Sequence, residues 1–244
     1  MIGIILAAGN GSRLKHSTRE NLCKPLLEIN QKPLIWYSLE NCLLLGIDRV
    51  CVVVGKEGEA IRQAVGSSYK GIPVHYVSQQ EQKGLIHALM QALAMPENET
   101  AVLLQLSDEI FINLRSDQIL QTIDEGQWDF ICGVTPEADR EKIKGNYSVQ
   151  TAAGRLQKCT EKPSVVTNSI KGTGFCYFSA SAIRLLKKTY DENQNTPCDL
   201  CAYMNLLIRE NRQGIALTIA QKEFNINTAA DIADAEQALL LLHN

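Results

Sequence analysis

The chain has 244 residues, 45% of them hydrophobic and 21% charged, which is an ordinary soluble globular composition with room for one large domain. Its net charge of −3 argues against a dedicated nucleic-acid binder, since such proteins carry a basic excess to neutralise phosphates. No apolar run reaches the roughly 18 residues of a membrane span, and the apolar start Met1–Ala8 lacks the basic n-region of a signal peptide.

In chain order, strand-like and helix-like segments alternate. Ile2–Leu6 is a short apolar run ending in Ala-Ala-Gly, which predicts a buried strand. Leu34–Leu45 is apolar at helical spacing and ends at Gly46, a C-cap signal. Arg49–Val54 is β-branched and bounded by Gly55. Glu57–Val65 reads as helix, Val74–Val77 as strand, Leu85–Ala94 as helix and Ala101–Leu106 as strand. This rhythm implies a parallel sheet with helices on both faces. Beyond about residue 135 the texture changes. Tyr147–Gln150 and Lys171–Phe178 look like strands, with Thr160-Glu161-Lys162-Pro163 as a loop between them. Ala180–Thr189 and Asp199–Arg209 are helix candidates, Ile215–Ala220 a strand and Ala229–Leu242 a closing helix. No internal repeat or linker is present, so a single domain over 1–244 is expected. Several of the eight cysteines sit in apolar runs and would pack as small hydrophobes, which favours a reducing cytoplasm as the location.

Four features carry chemistry. In Ala8-Gly9-Asn10-Gly11-Ser12-Arg13, small residues at a strand end allow close backbone approach, and exposed N–H groups attract phosphate oxygens. A tight turn with a surface arginine would give the same pattern. The loop is not a P-loop, because no Gly-Lys-Ser/Thr follows, and it lacks the third glycine of the dinucleotide fingerprint. Asp108 follows the strand Ala101–Leu106, at the edge where open α/β sheets bind ligands, and an isolated carboxylate there suits Mg²⁺. A helix N-cap is the plainer use of such an aspartate. Glu109 is its neighbouring candidate. Gln79, five residues before Gly84-Leu85, can read a pyrimidine edge through its amide, although Gln80 and Gln82 make a solvated polar loop an equal reading. Lys162 could contact a substrate phosphate and Glu161 a hydroxyl pair, where a surface charge pair is the alternative.

The remaining candidates read as structural. Cys198-x-x-Cys201 is a lone pair without a second pair or nearby His, a poor zinc signal. His87 fits a partly buried structural role, and Trp36, Tyr37 and Trp128 fit packing.

Taken in order, Leu-Ala-Ala-Gly-x-Gly-x-Arg-Leu, Lys-Pro-Leu-Leu, Gln-x4-Gly-Leu, Ser-Asp-Glu-Ile-Phe and Glu-Lys-Pro resemble the sugar-1-phosphate nucleotidyltransferase family, nearest the glucose-1-phosphate thymidylyl- and uridylyltransferase type. The resemblance implies a Rossmann-like α/β fold with a mixed, mostly parallel sheet flanked by helices. The nucleotide-binding part would run to about residue 135 and the acceptor-binding part from about 136 to 244. It implies that Leu6, Ala7, Ala8, Gly9, Gly11, Gln79 and Gly84 hold the nucleotide, and that Arg13 and Lys24 act on the phosphates. Ser148, Glu161, Lys162 and Thr173 would hold the acceptor, and Asp108 and Asn227 would bind Mg²⁺. The expected partners are an NTP and a small phosphorylated acceptor, without nucleic acid or membrane, and with homo-oligomerisation left open.

Three positions depart from the family pattern. Asn227 stands where an aspartate is frequent, Ser107 and Glu109 replace a glycine and an asparagine, and Ser148 replaces a glycine that lets the sugar approach. A cytidylyltransferase acting on phosphocholine or another non-sugar phosphate, or an inactive nucleotide-binding regulator, are the competing readings. Removing Arg13 should lower turnover more than ground-state binding.

Overall fold

The computed structural model describes residues 1–9, 23–95, 100–193 and 199–242. The chain opens with β1 (Ile2–Ala7), which is buried along its length. A short 3-10 turn at Lys24–Leu26 and the hairpin of β2 (Glu28–Ile29) with β3 (Lys32–Pro33) lead into α1 (Leu34–Leu44). Helix α1 stops where Gly46 takes φ +61°, as the sequence signal requires. Then come β4 (Arg49–Val54), α2 (Gly58–Val65), β5 (Ser68–Tyr69), β6 (Ile72–Ser78) and α3 (Leu85–Leu93). Next are β7 (Val102–Leu106), β8 (Glu109–Ile112), α4 (Ser116–Asp124), β9 (Phe130–Pro136) and α5 (Arg140–Lys144). The final third runs β10 (Tyr147–Ala152), β11 (Arg155–Glu161), β12 (Ile170–Phe178), α6 (Ala180–Asn193), α7 (Leu200–Arg209), β13 (Gly214–Thr218), β14 (Lys222–Asn225) and α8 (Ala229–Leu242).

Strand β1 lies centrally, parallel to β4 on one side and β7 on the other. Strand β6 extends the parallel part beyond β4. Beyond β7 the sheet turns antiparallel through β12, which also pairs with β9 and β10, while β10 carries β11 at the edge. The sheet is thus mixed, and a separate parallel pairing joins β13 to β9. The chain leaves β1 toward β4 and later returns on its other flank as β7. The carboxyl ends of these strands therefore open a crevice, the usual ligand position in such sheets.

Alternation along β1 divides the core. Ile4, Leu6 and Ala8 pack with α3 and α7, whereas Ile5 and Ala7 pack with α1 and α2. A third cluster joins α1 to β8, β14 and α8 through Leu34, Tyr37, Ile110, Phe224 and Ala235. This satellite core matters for the site, because it holds the β8–β14 ladder against the edge of the crevice. Sequence periodicity missed both of those strands and also β11. Each is only four to seven residues long, and β11 buries only Leu156 and Cys159. Glu161, expected in a loop, is the last residue of β11. No helix among the described residues is long and apolar enough to cross a membrane.

Candidate functional site

A cleft of about 340 Å³ opens at the carboxyl edge of β1, β6 and β7. Leu6, Ala8, Gly9, Gln79, Gly84 and Lys24 all line it, together with Asp108. The turn that presents Asp108 follows β7 and is anchored by Ser107 N–H donating to Leu6 O at 3.1 Å. Gln79 is set by its own N–H donating to Val54 O at 2.8 Å. Gly84 caps α3 with φ +100°, a left-handed backbone that a side chain would strain. Ala7 is not in the lining. Strand alternation turns its side chain into the opposite core layer. Arg13 and Gly11 lie outside the described residues, as does Cys198.

A second cavity of about 220 Å³ shares Leu85 and Leu106 with the first as a common wall. Glu161, Lys162, Thr173, Asn227, Asp199 and Tyr147 are among its lining residues. Lys162 has φ +41°, which turns the chain out of β11, and its N–H donates to Asn146 O at 2.7 Å. Thr173 commits its hydroxyl to Gly133 O at 2.9 Å, so it can shape the wall but its hydrogen is taken. The Glu161 carboxyl is raised by burial and by neighbouring Asp199, and the Cys201 thiol donates to it at 3.7 Å. Ser148, expected to hold the acceptor, lines neither cavity. It pairs directly across the sheet with Lys171, and directly opposed residues share a face. Tyr147, one residue earlier, faces the cavity instead.

Lys24, Asp108 and Asn227 meet where the two cavities adjoin. Lys24 Nζ donates to Asp108 Oδ2 at 2.5 Å and to Asn227 Oδ1 at 3.1 Å. The β8–β14 ladder creates this meeting. Asn225 sits opposite Glu109, and Ile226 N–H donates to Asp108 O at 2.9 Å, which delivers Asn227 beside Asp108. The ammonium held between the two side-chain oxygens shows that they converge on one point and accept a cation there. Both are hard oxygen donors, the ligand type that suits Mg²⁺. From Asn227 a one-way amide chain runs onward. Its Nδ2 donates to Asn225 Oδ1 at 2.7 Å, and Asn225 Nδ2 donates to Asn146 Oδ1 at 3.4 Å.

Behind this line is a buried charged layer. Both Glu109 oxygens accept from Gly174 N–H, at 2.8 and 2.9 Å. Burial, with Glu223 and Asp108 nearby, pushes the Glu109 carboxyl well above the usual carboxylate range. A Cβ on Gly174 would fall 2.2 Å from Leu106 Cγ, so only glycine lets the two strands meet there. Lys171 pairs with Glu223 and lies 3.8 Å from Glu137, tying β12 to β14. Sequence reasoning missed Gln82, whose amide donates to Ala8 O at 2.8 Å at the cleft mouth, and also Asn146, Tyr147 and Asp199. It also missed Asn225, though its spacing of two from Asn227 was a usable strand signal.

A parallel sheet edge with a glycine-bearing loop, a lysine–aspartate pair and two adjoining cavities defines an α/β enzyme that handles phosphorylated ligands. The chain belongs to the nucleotidyl transferase family, matching its profile over residues 2–216. It is 29% identical over 239 residues to the UTP–glucose-1-phosphate uridylyltransferase AglF of Haloferax volcanii, a match covering 98% of this chain and 96% of that protein. It is 27% identical over 242 residues to the bifunctional protein GlmU of Thermus thermophilus, covering 97% of this chain and 51% of that protein, so it spans about half of that relative. A UDP-glucose pyrophosphorylase solved with UDP-glucose superposes with a TM-score of 0.81 at 19% identity, over 99% of this chain and 98% of that one, and shares its fold.

Proposed function

We propose that the chain transfers a uridylyl or thymidylyl group from the triphosphate to a sugar 1-phosphate, forming a nucleotide sugar and pyrophosphate. The observation that carries this reading is the position of Lys24. It sits between Asp108 and Asn227 where a nucleotide-sized cleft adjoins a second cavity lined by Lys162 and Glu161. Relatives with uridylyltransferase and UDP-glucose pyrophosphorylase names support the choice of a pyrimidine nucleotide and a sugar acceptor.

In the reaction, a phosphate oxygen of the acceptor forms a bond to the α-phosphorus. The bond from that phosphorus to the bridging oxygen breaks, and pyrophosphate leaves with the electron pair. A phosphomonoester is largely ionised at neutral pH, its second pKa being about 6, so the chain need not supply a general base. The barrier is then the approach of two anions. Lys162 would hold the acceptor phosphate and Glu161 the sugar hydroxyls. Lys24 and Arg13 would neutralise charge on the triphosphate and on the departing pyrophosphate. Mg²⁺ bound by Asp108 and Asn227 would add positive charge to the triphosphate.

The test is a pyrophosphate-release screen crossing the four NTPs and dTTP with sugar 1-phosphates and phosphocholine, with and without Mg²⁺. Turnover is expected with UTP or dTTP and a hexose 1-phosphate. Turnover with CTP and phosphocholine would move the acceptor to a non-sugar phosphate. No release from any pair would leave a binding protein without catalysis.

A further inference from the structure

Gln79 is 7% exposed and lines the larger cleft. Its amide nitrogen has two hydrogens, and two acceptors face it. Gly84 O lies at 3.2 Å and His87 Nδ1 at 3.0 Å. The Gly84 carbonyl can only accept, so turning the amide over would set two oxygens against each other. Gln79 is therefore oriented nitrogen-inward, and His87 Nδ1 must be a bare acceptor. A neutral imidazole then carries its hydrogen on Nε2. That atom lies 3.2 Å from the amide nitrogen of Gln91, one helical turn along α3; no other hydrogen bond holds this amide among the described residues, so turning it over gives the N–H an oxygen to donate to. Both Gln79 hydrogens are thus engaged inward. Its Oε1, without a hydrogen bond among the described residues, is the amide atom left for a ligand in the cleft.

We propose that His87, in the Nε2–H tautomer and backed by Gln91, is a positioning residue. It fixes the Gln79 amide so that an acceptor oxygen faces the nucleobase. An acceptor suits a base whose ring nitrogen carries hydrogen, as the imide of uracil and thymine does. It opposes cytosine, whose corresponding ring nitrogen is itself an acceptor. His87 thereby sets base choice without touching the base. The proposal rests on reading the cleft as the nucleotide site, and it adds a residue that decides which pyrimidine enters.

Two measurements test it. The first is nitrogen-15 NMR of the imidazoles in the full chain. The chain has four histidines, and the His87 signals are those missing from His87→Asn. A proton on Nε2 and a bare Nδ1 are expected, and a proton on Nδ1 overturns the proposal. The second is equilibrium binding of UTP, dTTP and CTP without acceptor. In His87→Ala the preference for UTP over CTP should fall roughly three- to tenfold, the scale of one lost orienting hydrogen bond. In His87→Asn, whose side-chain oxygen can accept in the place of Nδ1, the preference should return toward wild type. An unchanged ratio in His87→Ala overturns the proposal, and because it is a ratio, partial unfolding does not mimic the effect. If the wild type binds none of the three nucleotides, the cleft reading and the base-choice step fail together. A bare Nδ1 in that case assigns the fault to the cleft reading, whereas tight UTP binding with a proton on Nδ1 assigns it to His87.

Discussion

Lys24 Nζ lies 2.5 Å from Asp108 Oδ2, a bond between residues 84 positions apart in the chain. The pair is partly buried, with the lysine side chain 11% and the aspartate side chain 26% exposed. Removing the lysine leaves a carboxylate facing the site of an incoming triphosphate without its counter-charge. Lys24→Ala is therefore expected to lower kcat/KM for pyrophosphate release by roughly 10²–10³, the scale of losing one charge-stabilising donor at a reacting centre. Activity within threefold of wild type would remove Lys24 from the reaction.

Asn227 offers a neutral oxygen beside Asp108, and cation affinity in oxygen sites rises with ligand charge. Asn227→Asp is expected to lower the Mg²⁺ concentration for half-maximal pyrophosphate release several-fold. The Asn225 amide must rotate to face the new carboxylate, because its oxygen now accepts from Asn227 Nδ2. A magnesium titration unchanged by the substitution would place the cation elsewhere.

Glu109 gives the chain a pH dependence with a defined sign. Its carboxyl is raised by burial from the ordinary value of 4.5, so the folded protein binds this proton more tightly than the unfolded chain does. The stability it contributes is complete below about pH 4.5 and is lost as pH rises through the higher folded value. Glu109→Gln keeps an acceptor for Gly174 N–H and never ionises. Melting temperatures of the two proteins should be close at about pH 5, with the variant pulling ahead toward about pH 8. Parallel curves would mean that another group carries the dependence.

Gly174 sits where a methyl group would meet Leu106 Cγ at 2.2 Å and Glu109 Oε2 at 3.0 Å. Gly174→Ala should cost about 1–3 kcal/mol in denaturant unfolding, the range for overpacking. Because Leu106 walls both cavities, KM for the acceptor should rise as well. Unaltered stability would show that β12 can shift to make room.

Much of the scaffold was readable from the residues. The strand Arg49–Val54 and the helix Ala229–Leu242 have the bounds their patterns predict, because a valine-rich run stopped by Gly55 favours a strand whereas 14 residues of mostly helix-forming type exceed a usual strand. The short ladder of β8 with β14 escaped notice. Four-residue strands held by distant partners leave little local signal, and the packing of Ile110 against Phe224 exists only once the chain has folded.

The sequence by itself determined the kinds of chemistry present. A small-residue loop at a strand end, a carboxylate after the strand Ala101–Leu106, a glutamine five residues before a glycine, and a lysine in Glu-Lys-Pro were all visible as residue types at set spacings. Only the tertiary structure decided which of them converge. It drew Lys24, Asp108 and Asn227 to one point, turned Ala7 and Ser148 away by strand alternation, and stationed His87 behind Gln79. The reason is physical. Residue type and local period are fixed by the neighbouring chain, whereas a hydrogen bond across 84 or 203 residues depends on how separate strands pair.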